Sequence, residues 1–67
     1  MALKVRYDAD ADAVYIRMSE ADILESEEVQ PGAIVDLDAD GKIVALEFLN
    51  ATDRFSPEVI MSFRQAA

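Results

Sequence analysis

The sequence predicts an α+β fold: a small antiparallel β-sheet built from two consecutive hairpins, with a C-terminal helix packed on one face. Three observations predict it. Apolar residues alternate with polar ones in short paired runs, an Asp-Gly pair separates two of those runs, and a Ser-Pro pair opens an amphipathic C-terminal segment. One compact domain spans residues 1–67: a hairpin over 3–18, a connector or edge strand over 19–32, a hairpin over 33–49 and a helix over about 57–66.

In the first hairpin, Leu3, Val5 and Tyr7 alternate with Lys4 and Arg6, and Val14, Ile16 and Met18 alternate with Ala13, Tyr15 and Arg17. Alternation with period two marks a strand buried on one side. Between the runs lies DADAD (8–12), rich in aspartate, whose side chain bonds the local backbone in turns. Pairing Tyr7 with Val14 places Val5 opposite Ile16 and Leu3 opposite Met18. One face is then apolar, and the other carries Lys4, Arg6, Tyr15 and Arg17.

Residues 19–30, SEADILESEEVQ, fit two descriptions. Ser19 ahead of Glu20 and Asp22 suits a capped helical turn. The charges that follow suit a short edge strand, where they deter unwanted pairing, and the strand is the preferred reading. Pro31-Gly32 ends the segment.

The second hairpin joins AIVDLD (33–38) to KIVALEFL (42–49). Asp40-Gly41 supplies the positive backbone angles of a tight two-residue turn. That turn pairs Ala39 with Lys42, Leu37 with Val44 and Val35 with Leu46. Val35, Leu37, Val44, Leu46 and Phe48 then share an apolar face, and Ile34, Asp36, Asp38, Ile43, Ala45, Glu47 and Leu49 share the other. A three-residue turn through Ala39-Asp40-Gly41 would instead set Asp36 beside Val44.

In the C-terminal segment Ser56 is placed to cap a helix, and Pro57 suits its first position, where a missing N–H goes unnoticed. Glu58 and Arg64 complement the helix dipole at either end. Phe55 is placed to staple onto Ile60. Val59, Ile60 and Phe63 form the expected apolar stripe, and Met18 and Met61 read as core filler.

Composition narrows the functions. There is no cysteine and no histidine, which removes disulfides, the usual zinc sites and thiol or imidazole catalysis. The net charge is −8, from 14 acids against 6 bases, and eleven of the acids lie between Asp8 and Asp40. Nucleic acid and anionic membranes both repel such a surface, whereas a basic protein suits it. No apolar run approaches the length of a membrane span or a signal core, so a cytoplasmic protein is expected. A chain this short buries only roughly 60% of its unfolded surface, and association is the expected remedy. The expected partner is a second copy of the chain, joined through Ile34, Ile43 and Leu49.

DLDADGKIVALE (36–47) matches the calcium loop of an EF-hand in its acids, glycine and final glutamate. Such a loop needs a helix on each side. Pro31 and Gly32 leave no room for the first, and alternating apolar residues follow Gly41. In a hairpin, Asp38 and Glu47 stand roughly 13 Å apart along the strands, too far to share an ion. Asp8, Asp10 and Asp12 are a weaker cation candidate, with no glycine or bidentate glutamate to complete a cage. Asp36 and Glu47 project on a diagonal from one face and are the candidate catalytic acids, the competing expectation being solvent-facing partners for Lys42, Lys4 or the arginines. With no phosphate loop and no nucleophile elbow, catalysis and cofactors are not expected. Arg6, Tyr15 and Arg17 form either a docking patch or an aromatic resting on arginine stems.

YDADADAVYIR (7–17) followed by DLDADGKIVALEFL (36–49) resembles the small bacterial proteins grouped as domain of unknown function 2283. The resemblance covers roughly residues 3–54. It departs at Ala45-Leu46, where glycine-isoleucine is more usual, and it leaves out the tail from Ser56. It implies a compact β-rich bacterial domain and carries over no catalytic or binding residue. Some similar proteins are encoded beside small toxin-like proteins, which implies a protein-binding, antitoxin-like role. The functional expectation is therefore a non-catalytic interaction module. The alternative is a small enzyme or a weak divalent-cation binder using clustered carboxylates.

Overall fold

A computed structural model describes residues 3–66. Five strands form one antiparallel sheet: β1 (Lys4–Asp8), β2 (Ala13–Arg17), β3 (Glu25–Gln30), β4 (Ala33–Leu37) and β5 (Ile43–Leu49). Their spatial order is β1-β2-β5-β4-β3. The two expected hairpins are joined by the pairing of β2 with β5, and β3 adds an outer strand to the second. Two helices follow, α1 (Ala51–Arg54) and α2 (Pro57–Ala66).

The first hairpin has the expected register, with Tyr7 opposite Val14 and Val5 opposite Ile16. Its ladder stops at Lys4 and Arg17, one step short of the Leu3–Met18 pair. Asp8 turns the chain by accepting the N–H groups of Asp10 and Ala11 on Oδ1. The charged segment before Pro31 forms strand only from Glu25, and its six residues are all exposed.

The second hairpin keeps the expected Val35–Leu46 pair but changes register near its tip. The turn has three residues, with the Gly41 N–H donating to the Asp38 carbonyl and Gly41 at φ +77°. Asp38 Oδ1 accepts the N–H groups of Asp40 and Lys42, both at 2.9 Å. Leu37 therefore faces Ile43, while Asp36 faces Ala45, and Val44 is an extra residue between them. The expected two-residue turn, with its Ala39–Lys42 and Leu37–Val44 pairs, is thereby corrected, and the β-bulge has two further effects. Asp36 does not come to lie beside Val44, and Ile43 shares the side of Leu37 and Val35 instead of that of Ile34 and Leu49.

One side of the sheet, here the helix face, carries the core. Val14, Ala51 and Ile60 are buried together, with Val5, Tyr7, Ile16, Phe48, Phe55 and Phe63 packed around them. Phe55 stands edge-on to both Phe48 and Phe63, an arrangement that suits the aromatic quadrupole. Ser56 caps α2 as expected, its Oγ accepting the Val59 N–H. Val59 and Met61 do not join the core, and Met61 is 54% exposed. Ile60 and Phe63, with Phe55 from outside the helix, supply the contact instead.

The second helix that the sequence did not announce, α1, begins at Asn50, whose φ of 56° leaves its own side chain unable to cap. Asp12, in the turn before β2 at the same end of the sheet, caps it instead. Its carbonyl accepts the Ala51 N–H, and its carboxylate accepts the N–H and hydroxyl of Thr52.

Candidate functional site

Strand alternation places Arg6, Tyr15, Glu47, Ile34 and Glu28 in one row across the far face of the sheet. The next row holds Lys4, Arg17, Ala45, Asp36 and Ser26. The connector of residues 18–24 is tied to this end of the sheet. The N–H groups of Met18 and Ser19 donate to the Val44 carbonyl, and that of Leu24 donates to the Leu37 carbonyl. Arg17 brackets the same segment, donating through Nε to the Ser19 carbonyl and through Nη2 to that of Ala21, both at 2.8 Å.

Here the far face is closed. Ala45 is fully buried, and Asp36 is the only buried polar or charged side chain among the described residues, at 1% exposure. Its Oδ1 accepts the Ser26 hydroxyl at 2.5 Å, and its Oδ2 has no hydrogen-bond donor. The expectation of a solvent-facing Asp36 paired to a base is therefore corrected. Glu47 sits diagonally beside it. Hydrogen-bond contact with Asp36, then partial burial, then the repulsion of a second carboxylate push the Glu47 carboxyl up to about 7 from an ordinary 4.5. A carboxyl that titrates near neutrality can give or take a proton where ordinary carboxyls are already ionised.

Glu47 also lines an open groove of about 500 Å³, together with Arg6, Asp8, Ala13, Tyr15 and Leu49. Tyr15 accepts from Arg17 Nη1 at 3.3 Å, so Arg17 is committed to the connector and to this hydroxyl. Arg6 is exposed opposite Tyr15. Of the expected association residues, Leu49 is exposed on the far face and Ile34 half-buried there, whereas Ile43 is 51% exposed on the helix face.

Three of the remaining acids, Asp8, Asp12 and Asp38, serve as turn formers and ties, and the Asp10 side chain is exposed. Asp8 and Asp38 bond the backbone of their own turns, and Asp12 holds Thr52. No group of three or more acidic side chains among the described residues is arranged to hold a metal ion. No helix among them is long and apolar enough to cross a membrane. Ser26 is the site residue that sequence reasoning missed. Its role depends on the β3–β4 register, which no local pattern in residues 19–30 specifies.

A family model described as "Protein of unknown function (DUF2283)" matches residues 4–51, well over half of the chain. The chain belongs to that family, and the match takes in every strand while ending at the start of α1. No curated protein and no solved structure matches it.

Proposed function

We propose that this member of the DUF2283 family is a non-catalytic interaction module that works as a homodimer and presents an acidic edge to a basic protein. One observation carries the reading: the core cluster under α2 reaches β1, β2 and Phe48 but not the β4 side of the same face. There Val35, Leu37 and Leu46 are only half-buried, beside the exposed Ile43. Among the described residues, three of the six buried apolar ones are alanines (Ala33, Ala45 and Ala51), so the core that one chain encloses is thin. A second copy laying the same patch on this one thickens it by a symmetric contact. The outermost strand β3 borders the patch with Glu25 and Glu27, which keeps these acids at the rim and available to a basic partner. An antitoxin-like role is one form such a partnership takes.

Ionic strength separates the two contacts. Each copy carries −8, so salt that screens like charges tightens the dimer, while it weakens capture of a basic protein. Sedimentation over a salt series is expected to give a dimer at micromolar concentration whose dissociation constant falls as salt rises. A monomer throughout, or capture of a basic partner that ignores both salt and replacement of the β3 glutamates, overturns the reading. A second reading, a small acid–base catalyst or cation binder, is favoured by the Asp36–Glu47 contact beside the groove. Calorimetry with calcium, magnesium and manganese that shows no heat removes its metal form.

A further inference from the structure

A fully buried carboxylate oxygen without a donor is costly, because burial removes its water and returns nothing. Oδ2 of Asp36 is such an atom, and the groups within reach decide what satisfies it. From β2, Tyr15 faces Glu47 directly and Arg17 lies on the diagonal; from β4, Ile34 faces it and Asp36 lies on the diagonal. Further out are Arg6 on β1 and Ser26 and Glu28 on β3. Lys4 pairs with Glu20 of the connector at 3.3 Å, the one ion pair among the described residues. Arg17 spends its N–H groups on two carbonyls and the Tyr15 hydroxyl. No cation therefore bridges the two acids.

We propose that Asp36 and Glu47 form a proton-binding site that shares a single proton, the Glu47 carboxyl donating to Oδ2 of Asp36 and clasping β4 to β5. Ser26 completes the site by holding Oδ1, which leaves Oδ2 as the oxygen free to accept from Glu47. The upward displacement of the Glu47 titration has the same direction and the same first cause. Because Glu47 also lines the groove, its proton exchanges with solvent while Asp36 stays enclosed. Loss of that proton leaves two like charges in contact, one of them desolvated, and loosens β4 from β5. The groove wall then gains a negative charge. This inference stands whether the protein is an interaction module or a catalyst.

Carbon-detected NMR of the side-chain carboxyls across pH 4–9 on the full chain tests it. Glu47 is expected to titrate near 7, and D36N is expected to return it towards 4.5. Amide exchange in β4, corrected for its intrinsic pH dependence, is expected to accelerate above neutrality in the wild-type chain. In E47Q, whose amide donates to Oδ2 at every pH, that acceleration is expected to vanish. A wild-type Glu47 midpoint below about 5, within the ordinary carboxylate range, overturns the proposal. So does a Glu47 midpoint that D36N leaves unmoved, or β4 exchange that accelerates equally in E47Q. If D36N does not fold, the wild-type midpoint and E47Q decide alone.

Discussion

Replacing Asp12 by alanine removes the device that joins the first turn to the C-terminal helices. Its carboxylate accepts the Thr52 N–H at 3.1 and 3.2 Å on its two oxygens and the Thr52 hydroxyl at 2.7 Å, with a longer bond from the Tyr7 hydroxyl at 3.4 Å. Loss of a capping side chain costs about 1 kcal/mol. Asp12 also sits at φ 52°, where aspartate is tolerated and alanine is worse by about 1 kcal/mol. The sum is about 2 kcal/mol, a large share of the stability of a domain this small, and lowers its melting temperature by about 8–16 °C. Urea unfolding followed by circular dichroism at one fixed protein concentration measures it. Asp12→Gly removes the backbone penalty but not the lost bonds and is expected to cost about 1 kcal/mol. Asp12→Asn keeps an acceptor and the backbone preference, and is expected to stay within about 0.5 kcal/mol of the wild type. An alanine variant as stable as the wild type, or an asparagine variant as weak as alanine, refutes the capping argument. The same result would return Asp12 to the pool of available cation ligands.

Three further outcomes are expected. Gly41→Ala costs about 1–2 kcal/mol by urea unfolding although its side chain would meet open space, because the φ of +77° alone disfavours it. Ile43→Asp shifts the sedimentation equilibrium to monomer at concentrations where the wild type is dimeric, whereas Ile34→Asp on the far face does not. Stability falls as pH rises from about 4.5 to about 7, since Glu47 binds its proton more tightly folded than unfolded and that advantage is complete below the lower value and gone above the higher. At 1.36 kcal/mol per pKa unit the full effect is about 3 kcal/mol, and water at the partly exposed Glu47 reduces it to about 1–2 kcal/mol. Urea midpoints at pH 5 and pH 8, wild type minus E47Q, isolate it from general charge repulsion, and a difference that grows with pH contradicts it.

Local patterns account for much of this fold. The Tyr7–Val14 register follows from alternation, because a slip of one residue would turn the apolar set to the wrong side. The Val35–Leu46 pair expected from a two-residue turn is instead reached through a three-residue turn and a bulge. The Ser56 cap follows from side-chain chemistry within four residues of it. The illegible features are those set at long range. Helix α1 depends on a cap 40 residues earlier in the chain, so its own residues carry no start signal. The diagonal of Asp36 and Glu47 was legible from strand geometry, but the burial of Asp36 was not. It depends on Ser26 in β3 and on the connector tied down by Arg17, neither of which a period-two pattern places.

The bulge at Val44 is where the local and the distant meet. A two-residue Asp-Gly corner would continue one register to the tip, facing Val44 with Leu37 and sending Ile43 to the far side. The three-residue turn shifts the tip by one, and the extra residue takes up the shift before Asp36. Asp36 consequently stays opposite Ala45, whose short side chain takes little of the space between Arg17 and the acid. The Val44 carbonyl accepts the Met18 and Ser19 N–H groups at 2.8 and 3.2 Å and anchors the connector at this end. On the opposite side the shift delivers Ile43 to the Val35–Leu37–Leu46 patch. The inserted residue thus moves Ile43 onto the apolar patch and leaves the Asp36–Glu47 diagonal where strand alternation sets it. A two-residue corner without the bulge would keep Asp36 opposite Ala45 and set Val44 in place of Ile43 beside Leu37.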